Sequence, residues 1–408
     1  MERLTMGVAD SAPAEPTPTA AANAVTAVRP TTTAHVQDVV RSAVARRATL
    51  RIIGRGTWLG AGRPVRHDAE PIALDGLSGI VDYTPGDLTL TARAGTTLAE
   101  IADATRPHGQ WLALIPWGGD AGSLGATVAT ATAGPTSGAL GAPRDVVIGV
   151  EAVTGAGDVV RGGGRVVKNV AGFDLTRLMV GAWGTLGVLT EVSVRLRALP
   201  ERDTTVALAL PNAVPALAAL LMQLRTAAVV PLALEMVTSA LSARLGIADT
   251  AAIMVRFAGN EESVAAQRAA LASLGNVVDV AGDSWSALRG SDSADATVVR
   301  CSSPVARFAD TWAAATRLAS VGEGHAHGSV MRSTVRVVVP NIDGTIPPDL
   351  LALLQAGGRD TRIFERLPDR LWSTLAPSAV THPIARGVRA AFDPHHLLNP
   401  GILGEDVA

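Results

Sequence analysis

The chain has 408 residues, 48% of them hydrophobic, and a formal net charge of only −2 at neutral pH. That is enough chain and enough apolar surface for two packed cores, and the basic residues are too scattered to neutralise a phosphate backbone, which argues against a nucleic-acid partner. The single cysteine, Cys301, cannot close an internal disulfide, and no Cys/His spacing suits a closed zinc or iron–sulfur site, so a reducing cytoplasm fits best.

In chain order, residues 1–28 are rich in Ala, Pro and Thr and lack the basic-then-apolar pattern of a secretion signal, so they read as a disordered leader. Val36, Val39, Val40 and Val44 recur at helical spacing over residues 35–46, and residues 50–53 make a short apolar strand. Strand-like runs follow at 71–74, 79–83 and 87–94, then a helix at 98–105 that Thr97 can cap. Residues 146–153 and 159–161 form a hairpin around a Gly155-Ala156-Gly157-Asp158 turn, and alternation of Val188, Thr190, Val192, Val194 and Leu196 marks a long strand. Beyond Pro200 the order strand (204–210), helix (213–225), strand (232–237), strand (251–257), helix (261–274), strand (277–280) predicts a ferredoxin-like unit. The apolar stretch 206–224 is interrupted by Pro211, Asn212 and Pro215, so it reads as strand, turn and buried helix rather than a membrane span. The expected organisation is α+β: a leader (1–28), a first domain (29–200), a cap (201–345) and a C-terminal segment (346–408) that returns to the first domain. No internal repeat of fixed period is visible.

Three glycine-rich segments carry the chemistry. The loop Gly54-Arg55-Gly56-Thr57-Trp58-Leu59-Gly60 follows a strand and has no acidic residue; its backbone N–H groups can converge on a pyrophosphate, or it is a plain turn. It matches neither the dinucleotide fingerprint of Rossmann folds nor a P-loop. The second, residues 122–135, alternates tiny and hydroxyl-bearing residues, leaving room for a large flat group with hydrogen bonds to it, or for a close helix–helix contact. The third, residues 167–191, contains Lys168-Asn169-Val170-Ala171-Gly172-Phe173-Asp174-Leu175 and Gly184-Thr185-Leu186-Gly187. Lys168 is the only lysine, either a position that wants a compact ammonium or an accident of an Arg-biased composition.

The third segment resembles the adenine-side segment of the vanillyl-alcohol-oxidase/p-cresol-methylhydroxylase (PCMH) flavoproteins, and more narrowly the smaller, E-type FAD-binding subunits of bacterial glycolate oxidases. The similarity covers residues 30–199 and resumes at 392–401. It implies a bipartite PCMH-type FAD-binding domain with a cap. By the same resemblance Gly54, Arg55, Gly56, Thr57, Trp58 and Leu59 hold the pyrophosphate. Pro116, Gly122, Ser123, Gly125, Ala126, Thr127, Thr130, Ala133 and Gly134 line the isoalloxazine and ribityl chain. Gly184, Gly187 and Val188 meet the adenine end, Asn169 joins the cofactor set, and Asn399 approaches the flavin. Relatives with covalent FAD often attach it through a His in or beside the first loop, where this chain has Trp58, and Cys301 lies outside the motifs; non-covalent FAD is implied.

Oxidising a 2-hydroxy acid at a flavin needs hydride transfer from the α-carbon, a base for the hydroxyl proton and a cation for the carboxylate. The candidates are Lys168, His325, His327, Arg332 and Arg336. His325 and His327 share a face if their run is extended, half of a metal site or else turn and surface histidines; no carboxylate pair completes a metal set, so no metal is expected. His395 and His396 read as solvent-exposed. Arg332 and Arg336, four apart, would share a strand face. The resemblance implies an FAD-binding subunit of a glycolate oxidase or dehydrogenase complex, cytoplasmic and near a membrane only through partners. In such a complex it works beside a larger, D-type flavin subunit and an iron–sulfur subunit. The alternatives are a non-catalytic electron-relay subunit of that complex, or a stand-alone alcohol or sugar oxidase.

Overall fold

The computed structural model describes residues 27–164, 174–293, 295–341, 344–356, 360–376, 378 and 380–404. The expected leader, apart from residues 27 and 28, lies outside them.

The first domain opens with α1 (Thr33–Arg46), which starts where the Thr32 hydroxyl accepts the His35 N–H at 3.1 Å and which buries Val36, Val40 and Ala43 along one stripe. β1 (Leu50–Ile53) and β2 (Glu70–Ala73) pair in parallel beneath it. β3 (Ile80–Thr84) and β4 (Thr89–Arg93) lead to α2 (Leu98–Thr105), begun by a reciprocal capping box between Thr97 and Glu100. After β5 (Gln110–Trp111) come α3 (Leu124–Thr130), α4 (Ser137–Leu140), α5 (Pro143–Val146), β6 (Val147–Val153), β7 (Val159–Gly163), α6 (Leu175–Met179), β8 (Val188–Arg195) and β9 (Arg197–Ala198). An antiparallel sheet in the order β3-β4-β8-β6-β7 forms the backbone of the domain. Central β8 is buried along most of its length, with Val192 and Val194 packing into the core beside Val150 and Ala152 of β6.

The cap is larger than the sequence suggests. Its first unit is β10 (Arg202–Ala209), α7 (Val214–Thr226), β11 (Ala233–Val237), α8 (Ser239–Arg244), β12 (Ala252–Gly259), α9 (Glu261–Ala272) and β13 (Val278–Asp279), followed by α10 (Ser284–Arg289). A second β-α-β-β-α-β unit follows: β14 (Ala296–Ser302), α11 (Phe308–Val321), β15 (His325–Ser329), β16 (Thr334–Pro340), α12 (Pro348–Gln355) and β17 (Thr361–Arg366). Both units have the ferredoxin-like order fourth-first-third-second, and antiparallel pairing of β11 with β15 merges them into one eight-stranded sheet, β13-β10-β12-β11-β15-β16-β14-β17. The duplication escaped the sequence because such a unit requires only apolar alternation and well-placed turns, not repeated residues. It also moves the break expected at residue 345, since α12 and β17 complete the second unit.

α7, α9, α11 and α12 contribute Leu221, Val264, Trp312 and Leu350 to one core against the outer face of this sheet. The other face carries Glu235, His325, His327 and Arg336 toward the first domain. The chain then passes through α13 (Trp372–Leu375) and α14 (Pro383–Phe392) and returns: Leu397 and Leu398 enter the core of Val36, Val40 and Leu50. The turn before them is fixed by the Asp393 carboxylate, which accepts the N–H groups of Leu397 and Leu398 at 3.0 and 2.9 Å. Among the described residues no helix is long and apolar enough to cross a membrane.

Candidate functional site

The first two glycine-rich segments, the described end of the third and the C-terminal return meet around one groove of about 1250 Å3 counted out to its mouth. Ile53–Leu59 comes off the end of β1, residues 116–119 form a facing wall, α3 lays its small side chains along the floor, and Trp183, Gly184, Gly187 and Asn399 close the far side. Among the described residues no Asp or Glu lines it, whereas Arg51, Arg55 and Arg63 do, an electrostatic setting suited to a diphosphate. A Cβ built on Gly118 or Gly119 meets nothing within 4 Å, so only hydrogen separates that wall from open groove. The residues present fit an elongated dinucleotide: arginines without an acid among the described lining residues, and a floor of Gly, Ala and Thr.

Asn399 ties the return to the groove. Its Oδ1 accepts the Ile52 N–H and its Nδ2 donates to the Trp183 carbonyl, both at 2.7 Å, and it holds a left-handed φ of 44° that Asn tolerates well. Gly184 beside it is itself at φ 70°, and a Cβ there would come within 2.8 Å of Asn399 Nδ2. An Asn399→Ala substitution is expected to weaken cofactor binding about tenfold, because two buried hydrogen bonds that set the groove's far side are lost; titration of the apoprotein by flavin fluorescence measures it.

On the cap side a buried polar cluster stands behind Trp117. Arg336, at 3% exposure, donates from Nε to Glu365 at 2.9 Å and from both terminal nitrogens to Asp292 at 3.2 and 2.8 Å. It also donates to His327 Nε2 at 3.2 Å, which places the His327 proton on Nδ1, 3.6 Å from a carboxylate oxygen of fully buried Glu235. The Trp117 ring packs over both, 4.4 Å from the His327 ring and 4.8 Å from the Arg336 guanidinium. Burial pushes the Glu235 carboxyl well above its ordinary range and the His327 imidazole well below its own, which favours the neutral form of each. His325 bonds Arg244 and Ser291, and burial together with the Arg244 charge pushes it down to about 4. Burial also works against the Asp292 carboxylate, but Arg336 outweighs it and holds Asp292 below the usual value. Among the described residues no three His, Cys, Asp or Glu side chains converge on a metal position.

The sequence profile of the family described as an FAD binding domain matches residues 25–163, which contribute the first loop, the 116–119 wall and α3. Residues 25–163 are an FAD-binding domain. The Escherichia coli (strain K12) glycolate oxidase subunit GlcE is 41% identical over 165 residues, covering 40% of this chain and 47% of that protein. Bacillus subtilis (strain 168) glycolate oxidase subunit GlcD is 32% identical over 182 residues, covering 45% of this chain and 38% of that protein. The matched region thus spans less than half the length of these curated relatives. Among solved structures, substrate-bound p-cresol methylhydroxylase superposes with a TM-score of 0.74 at 16% identity, covering 93% of this chain and 88% of that one. The fold is that of the vanillyl-alcohol-oxidase/PCMH flavoproteins.

Of the residues expected to hold the cofactor, Gly54, Arg55, Gly56, Thr57, Trp58, Leu59, Pro116, Gly122, Ser123, Gly125, Ala126, Thr127, Thr130, Gly184, Gly187 and Asn399 all line the groove. Ala133, Gly134 and Val188 do not. Gly134 is where the chain passes the Ile115 carbonyl, 2.0 Å from where a Cβ would stand, and the Val188 side chain is sealed in the core. The hydroxyls of Thr127 and Thr130 donate back to the carbonyls of Ser123 and Ala126, leaving their lone pairs rather than their protons for a ligand. Lys168 and Asn169 lie outside the described residues.

On the cap, His325 and His327 share a face of β15, but as buried residues, not turn or surface ones. Arg332 and Arg336 do not share a strand face: Arg332 sits exposed in the turn between β15 and β16, and Arg336 is buried within β16. Sequence reasoning missed Trp117, Trp183, Arg51, Arg63 and Ile402, which line the groove, and Glu235, Asp292 and Glu365 behind it. Trp117 had one local signal, its place between Pro116 and Gly118-Gly119; the carboxylates had none.

Proposed function

We propose that the chain is the FAD-carrying subunit of a 2-hydroxy-acid dehydrogenase assembly acting on glycolate, with electrons leaving to a partner flavin subunit and an iron–sulfur subunit. The observation that carries this reading is the acid-free groove assembled from segments that are distant in sequence, in a chain 41% identical to a glycolate oxidase subunit over 165 residues. When bound, FAD supplies the two-electron redox chemistry. This chain's residues would orient the cofactor: the 54–59 loop with Arg51 and Arg63 would hold its diphosphate, α3 and the 116–119 wall would flank its flat rings, and Asn399 would close the far side. FAD is held without a covalent bond. Trp58 stands in the first loop, and Cys301 is buried in β14 with its thiol pushed up to about 12 by burial and by Asp360.

One observation favours a relay role over direct substrate oxidation. Arg336, the cation best placed behind the groove, is committed to Asp292 and Glu365, and neutral His325 and His327 are sealed beneath Trp117 rather than lining the groove. Anaerobic addition of glycolate to the purified holoprotein, with and without its partner subunits, tests both readings. Flavin bleaching only with partners present is the expected result and assigns the relay; bleaching of the isolated chain assigns oxidation to its own flavin. No bleaching in either preparation overturns the glycolate assignment.

A further inference from the structure

The 116–120 segment forms one wall of the cofactor groove, yet little in its own sequence fixes it. Gly118 and Gly119 sit at its centre, the first at φ 87°, and glycine pairs lose more conformational freedom on ordering than any others. The first domain holds the segment's end, where the Ala99 N–H donates to the Asp120 carbonyl at 3.0 Å, and the cap holds it along its length. Arg289, the last residue of α10, is 6% exposed and sends its guanidinium onto this segment. Nε donates to the Pro116 carbonyl at 2.7 Å, Nη2 donates to Asp120 Oδ1 at 2.5 Å, and the Arg289 carbonyl accepts the Gly118 N–H at 3.0 Å. Three bonds thus hold the beginning, middle and end of a five-residue wall. Trp117 is held in turn under His327 and Arg336, and the Glu365 carbonyl of β17 accepts the Gly62 N–H at 2.9 Å, close to groove-lining Ala61 and Arg63.

We propose that Arg289 is a positioning residue for the flavin cofactor: from the cap it fixes the 116–120 wall in the geometry that FAD meets. The inference rests on the FAD assignment and extends it to a residue outside the cofactor-binding domain. Arg suits the task because its planar fork reaches two divergent acceptors at once, which a lysine ammonium cannot do from the same position. The guanidinium acts through the wall, so its loss alters how the cofactor is held rather than the chemistry the cofactor supplies.

The test uses full-length Arg289→Gln and Arg289→Lys, compared with the parent as apoprotein and holoprotein. Arg289→Gln is expected to raise the FAD dissociation constant by roughly tenfold to a hundredfold, the range for losing buried charge-assisted hydrogen bonds. It should also change the visible circular dichroism of the bound flavin, with the apoprotein's unfolding midpoint little altered. Arg289→Lys should recover part of both signals. A Gln variant with parental affinity and an unchanged flavin spectrum overturns the proposal. Should that variant not fold, Asp120→Asn decides, because Asp120 is 55% exposed and its change breaks only the ion pair. A few-fold loss of affinity with an altered flavin spectrum is then expected, and parental behaviour overturns the role. A parent chain that refuses FAD brings down the cofactor assignment itself, whereas a parent that binds beside an equally competent Gln variant removes only the role of Arg289.

Discussion

A Gly119→Leu chain is expected to unfold at its parent's midpoint and to carry no flavin. Gly119 lines the groove, it does not use a left-handed φ, and its Cβ position is free of neighbours within 4 Å, so a side chain is accommodated without strain in the protein. What that side chain takes is groove space. Leu is large enough to stand where a flat ligand must lie against the wall, and overlap of that kind cannot be relieved by a rotamer change when α3 closes the opposite side. The expected loss of FAD affinity is more than about a hundredfold, on the scale of steric exclusion rather than of one lost contact. Absorbance of the purified protein in the flavin bands, with a thermal or urea melt of the same sample, measures both halves of the statement. A yellow Gly119→Leu protein with parental affinity would show that the cofactor lies elsewhere.

Replacing Arg336 should strike stability instead. In Arg336→Met the carboxylate of Asp292, 8% exposed, loses its Arg336 ion pair, Glu365, 13% exposed, is left with Arg300 at 3.3 Å, and His327 loses the donor to Nε2. Removing one member of a buried ion network leaves uncompensated charge, which costs about 3–5 kcal/mol. The urea midpoint of the cap should fall accordingly, and changing Asp292 and Glu365 to Leu in the same chain should restore most of the loss. Acid acts on the parent through the same cluster. His325, pushed down to about 4, and His327, lower than its ordinary value, stay neutral in the fold, while the unfolded chain protonates both below about pH 6.5. Their contribution to stability therefore declines as pH falls from that point toward 4, opposed by Glu235, whose raised carboxyl takes up its proton in the fold before it does in the unfolded chain. Asp292 contributes stability above its unfolded value and loses it as pH falls through its depressed folded one. Urea midpoints measured across this range, in parent and variant, follow both effects.

What could be read from the chain alone is what short-range chemistry dictates. Thr97 and Glu100 spell a helix start within four residues, and the alternation from Val188 to Val194 is explicit. The glycine loops announce themselves because small residues in runs have few other uses. The second half of the cap was opaque for the opposite reason. β15 is His-Ala-His-Gly-Ser, a buried strand with no apolar alternation, tolerated because its polar side chains meet Arg336, Arg244 and Ser291 from other elements. Arg336 finds Asp292 44 positions away and Glu365 29 positions away, and Arg289 reaches back 173 positions to Pro116. Such partners exist only once the fold does. The same distance explains why Arg332 and Arg336 looked equivalent and are not: a turn ends and a strand begins between them, at a point that neither residue encodes.

The two halves of the cap join at β11 and β15, and Glu235 comes from one half while His327 comes from the other. Burial at that join raises the Glu235 carboxyl, and burial together with the Arg336 charge lowers the His327 imidazole. Water entering that join would bring the Glu235 carboxyl back toward its ordinary range, while the imidazole would keep Arg336, which belongs to its own half, beside it.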